Sequence, residues 1–93
     1  MKPDNRFSIA AKLYKAGYLN DLDDLFEAVP RSVVARHLGF NNQRIVNLHQ
    51  HPARWVLIDL IILGNLIDID QRGILNIVLN QLDKNSKRKV DTS

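Results

Sequence analysis

Three groups of residues in this 93-residue chain could do chemistry. Asp21, Asp23, Asp24 and Glu27 fall within two helical turns, close enough to raise paired-carboxylate acid–base work or a cation site. His49 and His51 form a His-x-His, a spacing that invites a metal reading. The third group is the run of arginines, Arg31, Arg36, Arg44 and Arg54, interleaved with the amides Asn41, Asn42, Gln43 and Asn47. The first two groups have plainer explanations. Carboxylates in the first turn of a helix are favoured by its dipole alone, and residues two apart on a helix point to different faces, so the histidines do not converge on an ion. No metal is expected. The chain has no cysteine, no glycine-rich phosphate loop, no serine nucleophile elbow and no metalloprotease helix motif. An enzyme is therefore not expected, and no cofactor is implied.

The third group carries an electrostatic signal. From Tyr18 to Val29 every charge is acidic, whereas from Pro30 to Ile58 every charge is basic, although the net charge is only +3. Sign segregation of this kind is the footprint of a surface that meets phosphate.

The elements that must position these residues are helical. Phe7, Ile9, Ala10, Leu13 and Tyr14 recur at helical spacing before Gly17, which predicts a helix over 7–16. Asn20 or Asp21 can cap a second helix, with Leu22, Leu25, Phe26 and Val29 on one face, closed by Pro30. A third, Arg31 to Leu38, puts Val34, Ala35 and Leu38 together before Gly39. Asn41 can cap a fourth, Asn42 to about Gln50, whose inward residues are Ile45 and Leu48 and which Pro52 stops. Trp55 to Ile67 is apolar on nearly all sides, as in a helix buried among several neighbours. A membrane span would need about 20 apolar residues, and this run is shorter and contains Asp59 and Asn65. Asp70 can cap a sixth helix, Gln71 to Leu82, and 83–93 reads as a polar, disordered tail.

The stretch 31–50 meets the demands of a helix-turn-helix unit. Ala35 stands where two short helices approach most closely. Gly39 stands where the turn needs a positive φ, and Val34, Leu38, Ile45 and Leu48 supply the contacts between the pair. The joint spacing of Ala35, Gly39 and Ile45 is more specific than any one of them.

These residues resemble the lambda-repressor-like, or Cro/repressor (XRE-type), family of helix-turn-helix proteins. Leu38-Gly39-Phe40-Asn41 is similar to that family's Leu-Gly-Val-Ser turn, and Leu60 to Asp70 is similar to its fourth helix. The likeness covers roughly Asp21 to Leu82 and leaves the N-terminal helix outside. Asp68 takes the family's glycine position and Gly64 a usual alanine. The resemblance implies that the helix 42–50 enters the major groove. Asn42, Gln43, Arg44 and Asn47 would then face outward as base readers, the amides pairing with adenine and Arg44 with guanine, and Val46 could touch a thymine methyl. Arg31 matches a position where the family contacts phosphate, with Arg36, Asn41, His49 and Arg54 as further phosphate candidates.

The expected fold is thus all-α: a compact five- to six-helix lambda-repressor-like domain over 1–82 with an extra N-terminal helix and the helix-turn-helix at 31–50. The expected function is sequence-specific binding of double-stranded DNA by a cytoplasmic transcriptional regulator of bacterial or phage type. It would act as a homodimer without a cofactor and with no membrane association, since the N-terminus carries no signal-peptide pattern. Trp55, Ile58 and Ile62 are candidates for the dimer interface; alternatively the N-terminal helix covers that apolar surface within one chain. The rival function is a protein-interaction module, antitoxin-like or for dimerisation, that keeps the scaffold without binding DNA. Four arginines and no lysine between Pro30 and Ile58 keep that rival open.

Overall fold

Asp21, Asn41 and Asp70 are short polar residues placed just ahead of apolar-periodic segments, and each one caps a helix. Asp21 Oδ1 accepts from the Asp24 amide at 2.9 Å, Asn41 Oδ1 from the Arg44 amide at 2.8 Å, and Asp70 Oδ1 from the Gly73 amide at 2.8 Å. The structure, a computed structural model, describes residues 5–91, with side chains described for 5–87. It is all-helical: α1 (Asn5–Lys15), α2 (Leu22–Ala28), α3 (Arg31–Leu38), α4 (Asn42–Gln50), a single 3-10 turn (Pro52–Arg54), α5 (Leu57–Ile67) and α6 (Gln71–Asp91).

Two helices end in the left-handed region. Gly39 closes α3 at φ 75°, and the Phe40 amide reaches back to the Ala35 carbonyl at 2.8 Å. Asp68 closes α5 at φ 59° with the same geometry, the Ile69 amide bonding the Gly64 carbonyl at 2.8 Å. The structure also explains Gly64: a Cβ there would stand 2.8 Å from the Ile69 carbonyl oxygen, so the returning chain requires a residue without a side chain.

The core draws on every α-helix. Phe7 and Ala10 of α1, Leu22 and Leu25 of α2, and Leu60, Leu63 and Ile67 of α5 meet Ile74, Ile77 and Val78 of α6. Val33, Val34 and Ala35 of α3 and Ile45 and Leu48 of α4 complete it. α1 packs on α2 and α5, α2 on α6, and α3 on both α4 and α5.

Three expectations are corrected. The last helix does not stop at Leu82. Its polar continuation has partners: buried Gln81 accepts from the Asp23 amide at 2.9 Å and donates to Asn85 at 3.0 Å, Asn80 donates to the Asn20 carbonyl at 2.8 Å, and Asn85 to the Gln50 carbonyl at 3.2 Å. Lys84 adds ion pairs to Asp23 at 2.7 Å and Asp21 at 3.4 Å. Helix therefore occupies 83–91 of the expected tail, while 92–93 lie outside the described residues. Trp55 does not begin α5, and it is largely buried within the chain. It follows the 3-10 turn, is 8% exposed, and packs near Phe40, with ring centroids 6.3 Å apart. Finally, α1 packs on α5 without covering its outer side, since Val56, Leu57, Ile58 and Ile62 remain exposed.

Candidate nucleic-acid interface

α3 and α4 are joined by residues 39–41, and their mutual packing fixes which side of α4 looks outward. Ala35 and Ile45 are each 1% exposed, so no larger residue fits between the helices without separating them. With Ile45 and Leu48 turned inward, Asn42, Gln43 and Arg44 are exposed and Val46 and Asn47 half-buried. All four expected base readers therefore have an outward face. Gln43 Nε2 lies 3.4 Å from Asn47 Oδ1, one turn along the same stripe, a weak contact that aligns the two amides.

Arg44 is held more firmly. Its Nη2 is 3.2 Å from Asp59 Oδ2 in the first turn of α5, and its guanidinium carbon lies 3.9 Å from the centre of the Phe40 ring. The cation thus has a carboxylate at one edge and an aromatic face beneath it. The sequence alone marks Asp59 as a break in an apolar run and Phe40 as a turn residue, without pairing either with Arg44. A signal was present, because Asp59 is the lone carboxylate between Pro30 and Ile67 and interrupts an apolar run.

The phosphate candidates divide into two sets. Arg31 and His49 are brought together, with Arg31 Nη1 3.3 Å from His49 Nδ1, while His49 Nε2 meets Asp23 Oδ1 at 2.6 Å. The ring thus bridges the two, its Nε2 directed at the Asp23 carboxylate, which can only accept. Phe26 supports the ring edge-on at 4.8 Å. Partial burial raises the Asp23 carboxyl, but Lys84 and His49 outweigh it and hold its pKa at about 2, below the ordinary 3.8. The hydrogen bond to Asp23 in turn raises Lys84 above its usual value. Asn41 has its side-chain oxygen committed to the α4 cap. Arg36 and Arg54 are exposed and have no side-chain partner among the described residues.

His37 is half-buried at the end of α3. Its Nδ1 is 3.0 Å from the Val33 carbonyl, and its ring stands edge-on to Phe7 of α1 at 4.9 Å. Trp55, as noted, belongs to the core, and its indole Nε1 is buried without a hydrogen-bond partner among the described residues. Ile58 and Ile62 do lie outside, 57% and 42% exposed. Beside them, Leu57, Ile61 and Leu75 line a groove of about 220 Å³ between α5 and α6.

Among the described residues no cluster of three metal-binding side chains occurs, and no helix is long and apolar enough to cross a membrane. Compared with known proteins, the chain matches no family model, no curated protein and no solved structure. The functional reading therefore rests on α3, α4 and what surrounds them.

Proposed function

We propose that this chain binds double-stranded DNA sequence-specifically. In this reading it is a lambda-repressor-like transcriptional regulator of the cytoplasm that lays α4 in the major groove and acts as a homodimer. The observation that carries the reading is the outer face of α4. A helix fixed from behind by α3 presents Asn42, Gln43, Arg44 and Asn47, and no carboxylate lies anywhere from Pro30 to Ile58. Arg36 and Arg54 are cations open to phosphate.

The dimer would use the apolar strip of α5 and α6, where Val56, Leu57, Ile58, Ile62, Leu75 and Leu79 are all more than two-fifths exposed. Covering about half of each aliphatic side chain contributes roughly 5–9 kcal/mol in all, on a scale of about 1.5–3 kcal/mol for a whole one. Association itself costs about 4–15 kcal/mol, so the strip alone supports a weak dimer that DNA would reinforce.

A second reading, a protein-interaction module on the same scaffold, is favoured by that strip and by the intramolecular partners of Arg31 and Arg44. Titration into labelled random-sequence duplex at several salt concentrations separates the two. Two to four phosphate contacts per protomer give a slope of log affinity against log salt of about −4 to −7 for the bound dimer. No binding at low salt by the folded protein would exclude the DNA reading and leave the strip as the binding surface.

A further inference from the structure

The contacts around Arg44 go beyond the general DNA-binding reading. An arginine on a readout helix ordinarily has many rotamers and is drawn to the nearest phosphate as readily as to a base edge. Here three elements confine it. α4 supplies the side chain, the α3–α4 turn supplies the Phe40 ring, over which the guanidinium carbon sits, and the first turn of α5 supplies the Asp59 carboxylate. Asp59 is itself well anchored, its side chain only 17% exposed against 50% for Arg44. Phe40 is in turn backed by Trp55.

We infer that Asp59, with Phe40, is a positioning residue that makes Arg44 the reader of a single guanine in the DNA site. The inference rests on the DNA-binding proposal above. The chemistry follows from charge and geometry. Pairing with Asp59 cancels the net charge of Arg44, so its pull on a phosphate weakens. The contact engages Nη2, and the guanidinium's other N–H donors remain for the O6 and N7 acceptors that guanine alone presents together in the major groove. Because the Phe40 ring and the Asp59 carboxylate confine the fork from two sides, fewer orientations are lost on binding.

The test is a comparison of site preference. Preferred duplexes are selected from a random pool with the wild-type protein, and affinities are measured for the best site and for single base-pair changes, using wild type, Asp59→Asn and Arg44→Ala. In the wild type, replacing one guanine should weaken binding about tenfold or more. In Arg44→Ala and in Asp59→Asn that penalty should fall to about threefold or less with preferences at other positions retained, and the salt slope of Asp59→Asn should steepen by about one per protomer as the released Arg44 turns to phosphate. An equal change in affinity on every sequence, or an unaltered guanine penalty in Asp59→Asn, would overturn the positioning role while leaving DNA binding standing. A wild-type protein that binds no DNA at all overturns both. Independently of DNA, the Arg44 side-chain protons of the free wild-type protein should show a ring-current shift that Phe40→Leu abolishes, and random-coil shifts in the wild type would also refute the clamp.

Discussion

Asp23→Asn tests the polar join between α2, α4 and α6. The Asp23 carboxylate receives Lys84 at 2.7 Å and His49 at 2.6 Å, and its pKa is held at about 2 instead of 3.8. A shift approaching two pH units corresponds to at most about 2.5 kcal/mol, at about 1.36 kcal/mol per unit. The side chain is 33% exposed, so solvent screening reduces this to about 1–1.5 kcal/mol. Since the folded-state value lies below the unfolded one, the contribution is complete above about pH 4 and is lost as the pH falls through 2. Urea denaturation followed by far-UV circular dichroism should therefore show Asp23→Asn less stable by about 1–1.5 kcal/mol at pH 7, roughly 5–10 °C in Tm. The two proteins should converge near pH 2. Other carboxylates titrate in both and cancel in the difference. Lys84→Gln in the Asp23→Asn background should cost less than in the wild type, because its strongest partner is already gone. A gap of equal size at pH 7 and pH 2 would show that Asp23 acts by shape and not by charge.

Two glycine-related substitutions test the α5–α6 corner. Gly64→Ala gains helix propensity of about 1 kcal/mol, yet its Cβ meets the Ile69 carbonyl oxygen at 2.8 Å and Ile74 Cγ2 at 3.4 Å. The net result should be a loss of about 1–3 kcal/mol, and a thermal melt showing stabilisation would contradict the close approach. Asp68 sits at φ 59°, ψ 43°, so glycine should be preferred over alanine there by about 1 kcal/mol, the reverse of their order inside a helix. The Asp68 ion pair to Lys15, at 3.8 Å and largely exposed, should not alter that order. Equal melting temperatures for Asp68→Gly and Asp68→Ala would rule out the left-handed turn.

The parts of the fold legible in the sequence are those written locally. Asp21, Asn41 and Asp70 announce helix starts because a capping oxygen needs only the next turn of backbone, and Gly39 announces a turn because its φ is nearly free. The Ala35–Gly39–Ile45 spacing worked for the same reason, since both helices of the pair lie within 20 residues. What escaped was decided by distant partners. Polarity after Leu82 reads as a tail until Gln81, Lys84 and Asn85 are seen against Asp23 and the end of α4. Trp55 reads as surface until the 3-10 turn at Pro52–Arg54 folds it beside Phe40. Asp68 looked out of place at a glycine position, yet its short polar side chain tolerates the left-handed conformation that the position requires.

The candidate site was legible as a face but not as a set of pairings. Along the chain the acidic stretch ends at Val29 and the basic one begins at Pro30, whereas in space they touch. Asp23, Asp24 and Glu27 of α2 line one depression with Arg31, His49 and Lys84, so the C-terminal end of α4 abuts carboxylates. Under the DNA-binding proposal this limits how α4 can approach a duplex. Phosphates would be repelled from the His49 end, while at the Asn42 and Gln43 end the Asp59 carboxylate is paired with Arg44. The helix would have to enter the groove by its first two turns, where its exposed amides and the oriented guanidinium lie, with the α2 carboxylates held away from the backbone. Under that proposal the acidic stretch would set the direction from which α4 approaches a duplex.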